Sequence, residues 1–289
     1  MPARFGALFC PFLLIMSSGY STAAAPSRHP ALHATRLTDI EYARVNGTSL
    51  LMDASIPAGA EKSPAVIIVH GGAWVAGDRR YNVQALFQPL AAAGFAWFSI
   101  GYRLATDVSQ FGAAIHDIQD AEYHIDPDKI ALIGESAGGQ LAAMAVLRGE
   151  AGTSVKAVVA LYTPSDLVSL AKTSTYIPAS VRNSVRGTPW EGLMLAALAQ
   201  LSPINSVRAG MPPFLFIHGT ADSLVPFSQS REMCSRMRQA GASCEVYPVE
   251  GGGHGIRRWE SSPKLAAGYK DKLIQWLTHE LGAPTAVAS

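Results

Sequence analysis

Apolar residues recur along this chain in short runs, at 65–69, 96–100, 130–133, 155–161, 214–217 and 245–249, broken by Ser99, Lys156 and Glu245. Runs of that length, closed off by Gly, Pro or polar residues, read as strands buried on both faces. Stretches with helical spacing lie between them at 83–93, 112–123, 140–147 and 228–240, with a terminal one near 263–281. Upstream, 40–45 and 49–56 alternate apolar and polar residues around Asn46-Gly47, which predicts a hairpin forming an antiparallel edge to the main sheet. Strands alternating with helices define an α/β fold with a mostly parallel sheet, helices on both faces and ligand chemistry at the carboxyl ends of the strands. One connection breaks the rhythm. Residues 162–213, rich in Ser, Thr, Ala and Pro, carry Tyr176, Trp190 and a helical stretch at 190–201. Insertions of that length are usually functional or disordered, so about 163–211 reads as a small lid insertion over the site; the alternative is a surface excursion that touches no substrate.

Composition narrows the class. A chain of 289 residues with 48% apolar content can bury a large core as one domain. Lys plus Arg number 23 against 22 Asp plus Glu, which leaves no field to attract nucleic acid or an anionic membrane. The first residues carry Arg4, an apolar run at 7–16 and small residues at 21–25, the pattern of a secretory signal peptide. The bland alternative is an apolar, disordered N-terminus. The run is too short for stable insertion across a membrane. The expected organisation is a signal peptide at 1–23, a linker at 24–37, an α/β domain at 38–283 and a tail at 284–289, in a secreted or periplasmic protein. Of three cysteines, Cys10 leaves with the signal. Cys234 and Cys244 remain, either as a disulfide or as two buried thiols.

The chemistry centres on Gly134-Glu135-Ser136-Ala137-Gly138, set between a strand run and an Ala-rich helical pattern. A strand that turns into a helix within about two residues strains its apex and crowds the neighbouring side chains. Gly134 and Gly138 relieve that crowding, and Ser136 is lifted clear at the positive end of the helix. Serine needs a base, and the base needs an orienting acid. Among eight histidines, His254 sits in a glycine turn after the last strand run. Between Ser136 and His254, Asp222 follows a strand end and is favoured as the acid; Asp166 is its rival, with helix capping as its plain reading. Residues 70–74, His-Gly-Gly-Ala-Trp, offer small residues whose amides can converge as an oxyanion hole, and Ala137 adds a donor beside the nucleophile. His70 reads as a loop fastener, and Asp78, Arg79 and Arg80 take no catalytic role. The aromatics Trp74, Tyr102, Tyr162, Trp190 and Trp259 fall near the mouth. Trp74, Tyr102 and Trp190 are the candidate substrate contacts, although each alone is an ordinary core residue.

Taken together, His70-Gly-Gly-Ala-Trp74, Gly77-Asp-Arg79, Gly101-Tyr-Arg-Leu104, Gly134-Glu-Ser-Ala-Gly138, His218-Gly-Thr-Ala-Asp222 and Gly253-His-Gly255 resemble the α/β-hydrolase esterases. Within them the likeness is to the hormone-sensitive-lipase-like and feruloyl- or acetylxylan-esterase-like group, over about 37–281. That resemblance implies the α/β-hydrolase fold and a triad of Ser136, Asp222 and His254. It also implies an oxyanion hole from the amides of Gly72, Ala73 and Ala137, with neither metal nor organic cofactor. The expected activity is that of a serine carboxylester hydrolase on short acyl or aryl esters, feruloyl or acetyl esters included, through an acyl-enzyme. Its substrate would be a small molecule or a polysaccharide-linked ester. The alternatives are amide or formamide cleavage by the same residues, and a non-catalytic binding module. Two departures stand out: Ala73 replaces a common glycine, and 111–123 is about ten residues short of the helix usual before the elbow, although 104–127 still suffices for a parallel crossover.

Overall fold

The computed structural model describes residues 34–58, 64–105, 111–122, 130–149, 155–173 and 186–282. The expected signal peptide, the C-terminal tail and Tyr176 lie outside them. Eight strands form one sheet in the order β1-β2-β4-β3-β5-β6-β7-β8. They are β1 (Ala34–Val45), β2 (Thr48–Pro57), β3 (Ala65–Val69), β4 (Ala96–Ile100), β5 (Ile130–Glu135), β6 (Ala157–Leu161), β7 (Phe214–Gly219) and β8 (Cys244–Val249). From β4 to β8 all pairings are parallel, whereas β1 and β2 form the expected antiparallel hairpin at one edge. Its turn places Asn46 at φ 49° and Gly47 at φ 81°, the left-handed pair that a two-residue hairpin demands. The strand begins earlier than expected: residues 34–37, assigned to the linker, pair with 54–57 of β2. Side-chain pattern could not mark them, because all four are exposed and pair with β2 through their backbone, with the Arg36 guanidinium lying over the Trp97 ring.

The runs in β3, β5, β6 and β7 are buried on both faces as inferred, whereas β8, at the sheet edge, is mostly half-buried with Pro248 exposed. Along β3, Ile67 and Val69 face one core layer while Val66 and Ile68 face the other, and all four are fully buried. The first layer is covered by α2 (Phe111–Glu122), α3 (Ala137–Leu147) and α6 (Ser228–Gln239), through Ile115, Ile118, Leu141, Met144, Met233 and Met237. The second is covered by α1 (Gln84–Ala92), α7 (Ile256–Glu260) and α8 (Pro263–Leu281), through Leu86, Leu90, Trp259, Tyr269 and Leu277. Each such side chain contributes about 1.5–3 kcal/mol on burial. The short α2 is tied down by charge: the buried Asp117 accepts from the Arg103 backbone N–H at 2.9 Å and from its guanidinium.

Topology fixes where chemistry can sit. The chain winds from β3 outward to β4, then returns past β3 to β5 and proceeds the other way. The crevice at the carboxyl ends of β3 and β5 is therefore the switch point of the sheet. Of the insertion expected as a lid, the described parts are α4 (Leu167–Thr173), α5 (Pro189–Gln200) and a short 3-10 turn at Pro203–Ser206. The Cys234–Cys244 pair is a disulfide, with Cα atoms 5.5 Å apart, joining α6 to the first residue of β8.

Candidate active site

The turn from β5 into α3 is as tight as its glycines require. Ser136 sits at φ 50° and ψ −120°, a strained geometry of a kind that costs of order 1–3 kcal/mol. A Cβ on Gly138 would lie 2.2 Å from the His70 carbonyl oxygen, and one on Gly134 2.5 Å from that of Gly138. Any other residue at either place would push the strand off the helix. The Ser136 N–H donates to the Leu161 carbonyl at 2.9 Å, which ties the apex to the neighbouring strand β6.

Ser136 Oγ lies 3.0 Å from His254 Nε2, and His254 Nδ1 lies 2.7 Å from Asp222 Oδ2. Since the carboxylate only accepts, Nδ1 carries the proton and Nε2 offers its lone pair to the Ser136 O–H. The three residues come from three strand ends, and the backbone locks their loops together. Ala221 N–H donates to Gly252 O at 3.0 Å, and Thr220 N–H to Val249 O at 3.1 Å. Burial alone would raise the Asp222 pKa; hydrogen bonds from His218 and His254 and from the Val225 amide outweigh it and hold the carboxylate well below its usual range. Asp166 is engaged elsewhere: its Oδ1 accepts from Ser169 N–H at 2.9 Å and caps the first turn of α4.

Gly72 and Ala73, two of the three residues expected to supply oxyanion donors, lie on the loop after β3. Gly72, Ala73 and Trp74 have φ of 118°, 51° and 67°. A Cβ on Gly72 would meet the Ala76 carbonyl at 1.9 Å, so glycine is required there, whereas Ala73 occupies the ordinary left-handed well at a cost of roughly 1–2 kcal/mol. The Gly72 carbonyl accepts from Val75 and Ala76, so the Gly72 and Ala73 amides are not the ones that close this turn. Ala137, the first residue of α3, presents its N–H at the helix start. The loop is fastened from below. Asp53, buried in β2, pairs with Arg79 and Arg80, and His70 stacks on Tyr102 with ring centroids 4.3 Å apart. Burial pushes the His70 pKa down, which suits a neutral ring in that place.

The three expected substrate contacts are placed differently from one another. Tyr102 is buried, and its hydroxyl donates to the His70 carbonyl at 3.0 Å; it supports the loop and is no wall of the site. Trp190 is 71% exposed on the first turn of α5. Trp74 alone is half-buried, packed against the buried cluster of Ala105, Leu167 and Leu201, with its indole N–H donating to Gln140 Oε1 at 2.9 Å. Tyr162 and Trp259, also placed near the mouth, are core residues.

Glu135 and Tyr162 join the site's loops. The buried Glu135 carboxylate accepts from Gly71 N–H at 3.0 Å and from the Tyr162 hydroxyl. That hydroxyl in turn accepts from Ile256 N–H at 3.2 Å, just past the base, and the Tyr162 ring lies edge-on to His254 at 4.8 Å. Burial raises the Glu135 pKa against the pull of its hydrogen-bond donors, and burial with the nearby Glu135 charge raises that of Tyr162 well above its ordinary value, so the phenol stays a donor. Only the position of Glu135 inside the glycine motif could have marked it in the sequence. Gln140 had no such signal, yet it is fully buried and bridges Trp74 to the Leu201 carbonyl, the latter at 2.7 Å. Among the described residues no group of His, Cys, Asp and Glu is arranged to hold a metal ion.

Comparison with known proteins adds to this geometry. The family model described as BD-FAE matches residues 52–237. A probable carboxylic ester hydrolase, LipM, of Mycobacterium tuberculosis (strain ATCC 25618 / H37Rv) is 31% identical over 72% of this chain and 52% of its own length. Esterase LipC of the same organism is 32% identical over 67% of this chain and 53% of its own. The chain thus spans about half the length of these relatives. Among solved structures, the esterase Est2 of Thermogutta terrifontis, propionate bound, is similar with a TM-score of 0.67 and 25% identity, over 90% of this chain and 97% of that one.

Proposed function

The chain belongs to the BD-FAE family, and on that premise we propose that it is a serine carboxylester hydrolase working through an acyl-enzyme, with Ser136, His254 and Asp222 as its triad. The observation that carries this reading is the continuous chain Ser136 Oγ to His254 Nε2 at 3.0 Å and His254 Nδ1 to Asp222 Oδ2 at 2.7 Å, mounted on a strained elbow. Ser136 Oγ attacks the ester carbonyl carbon while its proton passes to His254 Nε2. The imidazolium so formed keeps donating through Nδ1 to Asp222, which stays ionised. The carbonyl oxygen takes up the negative charge and receives the amides of Gly72, Ala73 and Ala137; each such donor is worth about 3–4 kcal/mol in the transition state. Collapse breaks the bond to the alcohol oxygen, which leaves with the proton from His254. Water then enters, gives a proton to His254 and attacks the acyl carbon; the bond to Ser136 Oγ breaks as Oγ takes that proton back from His254, and the acid leaves.

Short acyl or aryl esters, acetyl and feruloyl among them, are the proposed substrates. Trp74 and the leucines of the lid offer an apolar wall for a small acyl group, and the similar Thermogutta esterase holds propionate. Export to an oxidising compartment is supported by the Cys234–Cys244 bridge. The reading is tested with a p-nitrophenyl acetate-to-decanoate series and methyl ferulate on the wild type and Ser136→Ala. The variant is expected to lose about 10⁴-fold or more in kcat, as removal of such a nucleophile does elsewhere. Equal rates in the two proteins would sink the serine mechanism.

A further inference from the structure

Two histidines reach the Asp222 carboxylate. Its Oδ1 accepts the amides of Leu224 and Val225, both at 2.9 Å. Its Oδ2 lies 2.7 Å from His254 Nδ1 and 3.3 Å from Nε2 of His218, near the end of β7. The two rings otherwise have little in common. His254 is half-buried and turned to the nucleophile, whereas His218 is 0% exposed, with Nε2 2.9 Å from the Val225 carbonyl and Nδ1 2.7 Å from Ser230 Oγ.

These partners fix the state of the His218 ring. A carbonyl oxygen only accepts, so Nε2 must carry a proton, and that one N–H is shared between Val225 O and Asp222 Oδ2. In the neutral ring Nδ1 then accepts from the Ser230 hydroxyl. Ser230 is itself fully buried on α6, one helical turn before Cys234, whose disulfide ties the helix to β8. The chain that starts at Ser136 therefore does not stop at Asp222. It continues through His218 to Ser230 and ends on a helix held by a covalent bond.

We propose that His218 is a positioning residue of the reaction: its shared N–H, aligned by Val225 and Ser230, fixes the plane and reach of the Asp222 carboxylate and so the orientation of the base. Asp222 sits on a loop between β7 and α6, outside regular structure, and without His218 its Oδ2 would be held from one side only. This inference rests on the serine-hydrolase reading above.

The test compares His218→Phe, which keeps ring bulk and removes the donor, with His218→Gln, whose amide nitrogen reaches the place of Nε2. Folding of each is checked by thermal unfolding, and kcat and KM are measured on p-nitrophenyl acetate beside Ser136→Ala. The far-downfield proton resonance of the His254–Asp222 hydrogen bond is recorded in each. His218→Phe is expected to lose about 100-fold in kcat, the effect of a small misplacement at such a site, with KM nearly unchanged and the resonance shifted or broadened. His218→Gln is expected to recover most of that loss. A folded His218→Phe with wild-type kcat, or Phe and Gln variants equally impaired, overturns the proposal. If His218→Phe does not fold, Ser230→Ala is read instead: a several-fold lower kcat at unchanged KM supports the proposal and wild-type kinetics overturn it. An active Ser136→Ala removes the serine reading and this inference with it, whereas an inactive Ser136→Ala beside a normal His218→Phe removes this inference alone.

Discussion

Two helices of nearly the same length and composition meet opposite fates in this molecule. α3 reads Ala-Gly-Gly-Gln-Leu-Ala-Ala-Met-Ala-Val-Leu, and all of it is buried except Val146. α5 reads Pro-Trp-Glu-Gly-Leu-Met-Leu-Ala-Ala-Leu-Ala-Gln and has no buried residue at all. Neither is amphipathic, so neither sequence says which way it should face. The difference lies in what surrounds them. α3 springs from the central strand and lies under α2 within the first core layer, whereas α5 belongs to the insertion beyond the sheet and touches α4. An apolar helix inside the sheet's cover is scaffold; one outside it has only the lid and whatever enters the site for company. The largest expected effect follows from the scaffold side. Gly138→Ala would set a Cβ 2.2 Å from the His70 carbonyl, and backbone cannot yield there without moving both the elbow and the oxyanion loop. The expected loss exceeds about 4 kcal/mol, seen as little folded protein or a collapse of the thermal midpoint. A Gly138→Ala variant with wild-type stability would show that α3 is not the rigid member of the pair.

The sequence carried the scaffold better than the surroundings. Strand runs, the elbow and the order of Ser136, Asp222 and His254 are legible because each is local: a run length, a glycine spacing, a strand end followed by a loop. Tyr102 was misread because an aromatic at a strand end carries no mark of direction, and its partner, the His70 carbonyl, is a backbone atom that no pattern flags. Trp190 lies exposed on α5, and no local pattern tells a side chain facing the site from one facing solvent. Glu135, Gln140 and His218 act through contacts 64, 61 and 4 residues away, and the shortest of these is indistinguishable from an ordinary loop neighbour. Residues 34–37 escaped because an exposed strand carries no apolar alternation to mark its backbone pairing.

Gln140 is where the two helices communicate. It projects from α3, takes the indole N–H of Trp74 and donates to the carbonyl of Leu201, the residue that caps α5. Gln140→Leu keeps the volume and removes both bonds. Leaving such buried polar groups without this partner costs about 1–3 kcal/mol. Thermal unfolding should show that loss, and KM should rise as Trp74 and the end of the lid come loose. Unchanged stability would mean that scaffold and lid are energetically separate, and would leave the contrast between α3 and α5 sharper than drawn.

The smallest effect is expected on α5 itself. Leu193 is 65% exposed and Trp190 71%, so Leu193→Ser and Trp190→Ala withdraw little surface from any core. Their effect on stability should stay within about 0.5 kcal/mol, the range of surface changes away from special contacts. What they alter is the surface that a long acyl chain or a bulky alcohol meets on the lid. The ratio of kcat/KM for p-nitrophenyl decanoate to that for the acetate should then fall by about twofold, the same energy expressed as a rate. A drop of several kcal/mol in stability would contradict the exposed setting of α5 and place it with α3 as scaffold. An unchanged ratio at unchanged stability would make this helix a bystander to catalysis, with Trp74 the aromatic through which the lid region meets substrate.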